Sequence, residues 1–210
     1  MKKIRITIPH SNDVEDIKHI SNYECIKELG KASLPFKVEY NVCKGALIGH
    51  ARNDMILRKA FFTEGDKIEG FDYNLQLDTD VFFTPDDLIK IYEAAEENNY
   101  QVISGAYPQR GRDDLVNAGM WDEYTGDNSI ELSFKMTDTG IKKADWCAAG
   151  FLLNHISVFT ETEYPWFYPP VIKHENCTYC PGEDIGFSIK CHENNIQMYC
   201  DCDCKLKHLI

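Results

Sequence analysis

No stretch of this chain comes near the roughly 18 consecutive apolar residues that a membrane-crossing helix requires, which excludes a helical span. Nor does the start carry the apolar core of a signal peptide. Met1-Lys2-Lys3-Ile4-Arg5-Ile6-Thr7-Ile8 alternates instead, in the manner of a strand. The expectation is a cytoplasmic protein, with room for the chain to be one module of a longer polypeptide. Positive charge is scarce: 22 Lys and Arg stand against 34 Asp and Glu, a net charge of −12. Such a surface repels phosphodiester backbones and excludes nucleic-acid binding of the usual kind. Low-complexity linkers and internal repeats are missing too, so the 210 residues read as one domain. A phosphate-bearing ligand would need local positive charge, and carboxylates holding a divalent cation are a ready source.

Cysteine is not scarce, but its nine copies are an odd number in a chain too large to need disulfide staples, so reduced thiols are expected. Cys177-x-x-Cys180 and Cys200-x-Cys202-x-Cys204 keep open a zinc-stabilised interaction module without catalysis. In that reading the three thiols at 200, 202 and 204 share one strand face, with Cys177, Cys180 and Cys191 in reach.

Hydrophobic periodicity supplies a β-α-β start. Residues 4–8 alternate, 13–32 place Val14, Ile17, Ile20, Ile26 and Leu29 on a helical stripe, and 36–42 alternate again. Further helices are predicted over 51–62, from Pro85 through Ile89, Tyr92 and Ala95, and over 183–194. Strands are predicted over 72–77, 100–104 and 196–204. The segment 111–139 dissolves into Gly, Asp and Asn and reads as loop with one strand-like patch at 130–134; 164–170 is an aromatic, proline-rich connection. This alternation predicts an α/β fold with a mainly parallel central sheet flanked by helices, whose ligand lies beyond the carboxyl ends of the strands.

Asp78-Thr79-Asp80 stands at such an end, after Tyr73-Asn74-Leu75-Gln76-Leu77. The triplet alone means little, since a chain this rich in aspartate yields about one or two by chance, and Asp201-Cys202-Asp203 is another. Placement distinguishes the first. Carboxylates at i and i+2 of extended chain point the same way and can share a cation, whereas Phe82 and Phe83 occupy positions where an EF-hand would need oxygen ligands and glycine. The plain alternative is an Asp-rich turn capping the Pro85 helix.

Asp78-Thr79-Asp80, Cys147-Ala148-Ala149-Gly150 before Phe151-Leu152-Leu153, Gly182-Glu183-Asp184 opening a helix, and a late His208 together resemble the nucleotide-sugar glycosyltransferases of the GT-A fold. The features occur in the family's order across most of the chain and look like the small glycosyltransferase modules of chlorella viruses, which build capsid glycans. The resemblance implies a single GT-A domain, with a donor-nucleotide half over about 1–105 and an acceptor half over about 106–210. It implies a hexose moved from a UDP-sugar, UDP-glucose or a relative, to a glycan or glycoprotein hydroxyl, with retention slightly favoured over inversion.

By the same resemblance Asp78, Asp80 and His208 hold Mn²⁺, or Mg²⁺, on the donor diphosphate. Thr7, Pro9 and His10 meet the base; Arg52 and Asn53 lie near ribose and diphosphate; Thr79, Ala149 and Gly150 complete the donor site. Glu183 and Asp184 are the candidate catalytic pair, with Asp184 the base if the sugar inverts; helix-start carboxylates are also ordinary caps. Trp121, Trp146 and the aromatics at 164–168 could stack on acceptor sugars or simply fill core. Lys205 and Lys207 could face phosphate or solvate a strand end. A sugar-phosphate nucleotidyltransferase would share the architecture but needs a Gly-rich phosphate loop after the first strand, and Ile8-Pro9-His10-Ser11-Asn12 is not one.

Overall fold

Alternating isoleucines build the first strand: Ile4, Ile6 and Ile8 are fully buried on one face of a sheet, while Arg5 and Thr7 point to the other. The computed structural model describes residues 1–10, 20–44, 47–58, 63, 66–121, 131–174 and 177–209. In chain order they form β1 (Lys3–His10), α1 (Tyr23–Leu29), β2 (Lys37–Lys44), α2 (Ile48–Leu57), β3 (Tyr73–Leu77), β4 (Val81–Phe82), α3 (Pro85–Asn98), β5 (Val102–Ala106), β6 (Pro108–Gln109) and β7 (Arg112–Trp121). The second half adds β8 (Glu131–Lys135), β9 (Ile141–Ala144), β10 (Trp146–Cys147), β11 (Phe151–His155), α4 (Ile156–Glu161), β12 (Ile172–His174), β13 (Cys177–Tyr179), α5 (Glu183–Glu193), β14 (Met198–Lys205) and β15 (Lys207–His208).

The central sheet has seven strands in the order β2-β1-β3-β11-β5-β14-β9. β2, β1, β3, β5 and β14 run one way, and β11 and β9 run against them. The predicted α/β class with a mostly parallel sheet is therefore the observed one. Period-two alternation divides the core: Leu75, Leu77, Ile103, Phe151 and Leu153 pack with α1 and α3, while Val102, Leu152, Met198 and Cys200 pack with α4 and α5. Beneath α2 the second face is polar. Arg5 donates to the Ile56 carbonyl at 2.8 Å, and Asn74 donates to the Arg5 carbonyl and the Thr7 hydroxyl.

Four expectations need correcting. The helix expected over 13–32 begins, among the described residues, only at Tyr23; Val14 and Ile17 lie outside the described residues. The helix expected over 51–62 starts earlier, at Ile48, and stops at Arg58, which adopts φ 58° and so cannot continue a right-handed helix. The segment 111–139 holds the predicted strand-like patch as β8 but also a second strand, β7, paired with it. Its polar residues conceal the pattern because Arg112, Asp113 and Asp114 are exposed while Val116, Ala118 and Trp121 point inward. Gly119 is required there, since a Cβ would fall 2.0 Å from the Leu132 carbonyl oxygen.

Finally, the thiols at 200, 202 and 204 do not share a face. The register of β14 shifts between Asp201 and Lys205, and the Asp201 carboxylate accepts from the Asp203 and Cys204 N–H groups at 2.9 and 3.2 Å. This bulge turns Cys204 toward α3, where its Sγ lies 3.7 Å from the Asp87 carbonyl, while Cys200 and Cys202 stay in the opposite core.

Candidate functional site

β3 ends at Leu77, and the next residues turn at the carboxyl edge of the sheet. The Asp78 N–H donates to the Gly150 carbonyl at 3.0 Å, which joins the Asp78-Thr79-Asp80 turn to the small-residue loop before β11. β15 pairs antiparallel with β4, His208 opposite Val81, and the Leu209 N–H donates to the Asp80 carbonyl at 2.9 Å. Residues more than a hundred positions apart in sequence thus meet at one edge.

The centre of the site is Arg52, sealed from solvent on α2. Its Nη2 donates to Asp78 Oδ1 at 2.6 Å, its Nε to Glu183 Oε1 at 3.0 Å, and its Nη1 to Gln76 Oε1 and the Ala149 carbonyl at 3.1 and 3.3 Å. Gln76 presents its oxygen because its amide nitrogen is committed to Asn74 Oδ1 at 2.7 Å. Burial opposes the guanidinium charge, but the Asp78 and Glu183 carboxylates outweigh it and raise the pKa of Arg52. Next to this cluster, burial, reinforced by the Glu183 charge, pushes Asp184 up to about 6, with Arg52 and the Ile185 N–H pulling the other way. That places its proton exchange close to neutral pH.

Tyr107 lies under the same edge, fully buried, and its hydroxyl accepts from the Gly150 N–H at 2.8 Å. Burial, together with the Asp78 and Asp184 charges, raises its pKa, so it is a neutral phenol. Gly150 has no room for a side chain, since a Cβ would lie 2.5 Å from the Tyr107 hydroxyl oxygen.

His208 Nε2 stands 3.5 Å from Asp80 Oδ2, and Nδ1 is 2.8 Å from the Pro108 carbonyl. A carbonyl only accepts, so Nδ1 carries a proton, and Nε2 is the ring atom that faces Asp80 and would be the one to ligate a cation placed between them. An imidazole nitrogen and a carboxylate converging this way fit a divalent ion such as Mn²⁺. Arg110, largely exposed, also pairs with Asp80 Oδ2. Asp78 has one oxygen committed to Arg52. Among the described residues no group of three or more His, Cys, Asp or Glu is placed to hold a metal by itself, so ligand or water oxygens would have to complete the shell.

The sequence-derived candidates divide into three groups. Asp78, Thr79, Asp80, Gly150, Glu183, Asp184 and His208 come together at the edge, with Arg52 and the Ala149 carbonyl directly behind them. His10 is half-buried at the end of β1. Thr7, Pro9 and Asn53 have buried side chains. The Thr7 hydroxyl, inaccessible to water, donates to the Leu75 carbonyl, and the Pro9 ring is buried. Asn53 spends its whole amide on the Tyr164–Pro170 segment and its own helix, donating to the Gly49 and Phe167 carbonyls and accepting from the Trp166 and Phe167 N–H groups.

Trp121 and Trp146 are packed against Ile185 and Ile189, so they are core and not open sugar platforms. Lys205 donates to the Met136 carbonyl, and Lys207 is exposed. A cavity of about 450 Å³ adjoins Glu183, walled by Leu47, Ile48, Tyr164, Phe167 and Tyr168. Tyr107, Gln76, Arg110 and Asn22, whose amide holds the turn after β3, carry no spacing signal and were invisible as site residues in the sequence.

No family model matches the chain, and no curated protein does. Among solved structures, A197 from STIV aligns with 100% of this chain and 86% of its own at a TM-score of 0.58 and 17% identity. GalNAc-T7, crystallised with UDP, GalNAc and Mn²⁺, aligns with 100% of this chain and 44% of its own at a TM-score of 0.62 and 11% identity. S. aureus TarS 1-349 aligns with 98% of this chain and 60% of its own at 0.54 and 12%. The fold is that of the GT-A glycosyltransferases. The chain spans less than two thirds of the latter two structures. Among the described residues no helix is long and apolar enough to cross a membrane.

Proposed function

We propose that the chain is a metal-dependent glycosyltransferase that moves a hexose from a UDP-sugar to a glycan hydroxyl. The observation that carries the reading is the pairing of His208 Nε2 with Asp80 at the carboxyl edge of the sheet, with the ring tautomer fixed by the Pro108 carbonyl. A divalent ion bound there, Mn²⁺ or Mg²⁺, would stabilise the charge that develops on a departing diphosphate. Asp80 and His208 are the principal protein ligands in this reading. Asp78 contributes its free oxygen while Arg52 keeps the neighbouring carboxylates fixed. The preference for UDP rests on the resemblance and on the ligand of GalNAc-T7.

The donor half is 1–105 and the acceptor half 106–210, with Glu183 and Asp184 facing the donor from the second half. Asp184, exchanging its proton at about pH 6, suits a general base that takes the proton of an acceptor hydroxyl at neutral pH. The resemblance leans toward retention; if the sugar inverts, Asp184 is the group that would deprotonate the hydroxyl as it attacks the anomeric carbon. The cavity beside Glu183, with its aromatic walls, is where an acceptor sugar would lie face-on to Tyr164 or Tyr168. A capsid glycan as acceptor rests on the viral resemblance alone.

Thermal melts of the full chain with UDP, GDP or CMP, each with and without Mn²⁺, test the reading, because selective binding raises the midpoint by mass action. UDP with Mn²⁺ should stabilise most. Equal midpoints in every condition would exclude a nucleotide-dependent transferase.

A further inference from the structure

Asn22 is fully buried and immediately precedes α1. An asparagine at that position ordinarily turns its side chain onto the free N–H groups of its own helix. Here it makes no such bond. Its Nδ2 donates to the Asp78 carbonyl at 2.8 Å and the Val81 carbonyl at 2.9 Å, 56 and 59 residues further along the chain. Its backbone N–H donates to the Thr79 carbonyl at 3.1 Å.

One residue therefore occupies three of the four carbonyls of the turn from Asp78 to Val81, and the remaining one, on Asp80, accepts from Leu209. The orientation of the amide is dictated by chemistry: both side-chain partners are acceptors, so nitrogen must face them. Its Oδ1 is left buried without a partner among the described residues. Local capping and full satisfaction of the amide are both forgone for a distant turn. With every carbonyl tied, the peptide planes of the turn cannot rotate, and the Asp78 and Asp80 carboxylates keep their places against Arg52 and His208.

We propose that Asn22 is the positioning residue of the Asp78-Thr79-Asp80 turn and so sets the site's affinity for a divalent cation and the nucleoside diphosphate bound with it. This inference rests on the function proposed above. Asparagine is well matched to the task. Alanine supplies no donor, serine at most one, and aspartate would set carboxylate oxygens against two carbonyl oxygens.

The experiment titrates the full-length chain with Mn²⁺ alone, followed by Mn²⁺ electron paramagnetic resonance, and with UDP with and without Mn²⁺, followed by calorimetry. Parent, Asn22→Ser, Asn22→Ala, Asp80→Asn and the variant carrying both Asn22→Ala and Asp80→Asn are compared. Asn22→Ala should weaken Mn²⁺-dependent UDP binding at least tenfold and Asn22→Ser by less, while UDP affinity without metal stays within twofold of the parent. Added to Asp80→Asn, Asn22→Ala should have no further effect on Mn²⁺ affinity, which a general loss of packing would not reproduce. Cooperative melting of both Asn22 variants with parental Mn²⁺-UDP affinity overturns the proposal. Hydrogen exchange separates it from the functional reading and covers a poorly folding Ala variant. In Asn22→Ser the Val81 and Leu209 amides should lose protection while core amides such as that of Ile6 keep theirs. If the parent itself fails to bind Mn²⁺-UDP, the transferase reading falls, and unchanged protection at Val81 and Leu209 would reject the positioning role as well.

Discussion

A guanidinium sealed from water between two carboxylates is stable only while its partners remain. Arg52 is held by Asp78, Glu183, Gln76 and a main-chain carbonyl, so removing its charge strands two acids in a low-dielectric pocket. Loss of one partner from a buried ion pair costs about 3–5 kcal/mol. In a chain of this size that corresponds to a melting point lowered by roughly 10 °C. Arg52→Met should show such a fall at pH 7.5 in a calorimetric melt; a change under about 2 °C would mean the cluster adds little.

The same pocket gives Asp184 a pH signature. Its folded pKa, about 6 against a usual value of 3.8, means that the folded state binds the proton more tightly than the unfolded one. The stability associated with that proton is fully present below about pH 4 and is lost as pH rises through about 6. A difference of this size between the folded and unfolded states is equivalent to at most about 3 kcal/mol, and partial exposure reduces it to about 2. Asp184→Asn should therefore stabilise the protein at pH 8, leave it nearly unchanged at pH 4, and abolish transfer. Parallel melting curves for parent and variant across pH 4–8 would refute the buried-acid assignment.

At the scale of elements, two glycines let helices approach the site. Gly49 brings the first turn of α2 against Glu183, and Gly186 lets α5 lie on the 164–170 segment, where a Cβ would fall 1.8 Å from the Tyr168 carbonyl oxygen. Because that contact is with backbone, Gly186→Ala must move the helix or the segment. About 1–3 kcal/mol of stability should be lost, and the displaced start of α5 should lower turnover more than it lowers UDP affinity. Urea unfolding alongside steady-state kinetics checks both; a stable, fully active variant would show that α5 and the segment can shift freely.

These elements were legible in the sequence to very different degrees. β1, β3, α3 and α5 were readable because each shows its period against one apolar face, and α3 adds Pro85 and the Thr84–Asp87 capping box. β7 was not, because half its length is exposed and polar. The bulge in β14 depends on Asp201 reaching its own backbone, a contact that alternation does not encode. The acids and His208 of the site were readable from order and placement. Asn22, Tyr107 and Gln76 were not, because their roles arise from contacts tens of residues away.

At the scale of the whole molecule, the site exists because distant stretches of chain close on it. The turn after β3 supplies Asp80, the Tyr107-Pro108 segment supplies the carbonyl that orients the imidazole, and β15 pairs with β4 to deliver the imidazole itself. Ligation and closure are separable. His208→Ala removes a nitrogen donor but leaves the strand pairing and the Leu209–Asp80 bond, which are made by backbone atoms. Truncation after Lys205 removes both, together with buried Leu206. His208→Ala should thus weaken Mn²⁺ binding by only about tenfold, because Asp80 and the diphosphate oxygens still hold the ion, and should lower the metal-free melting point only by the loss of the ring's own contacts with the Pro108 carbonyl and Tyr107. The truncation should lose more Mn²⁺ affinity and also melt earlier, since Val81 and Phe82 lose their strand partner. Equal Mn²⁺ affinity for parent and His208→Ala, alongside a weakened truncation, would make β15 a closing strand only and leave the cation to Asp80 and the nucleotide.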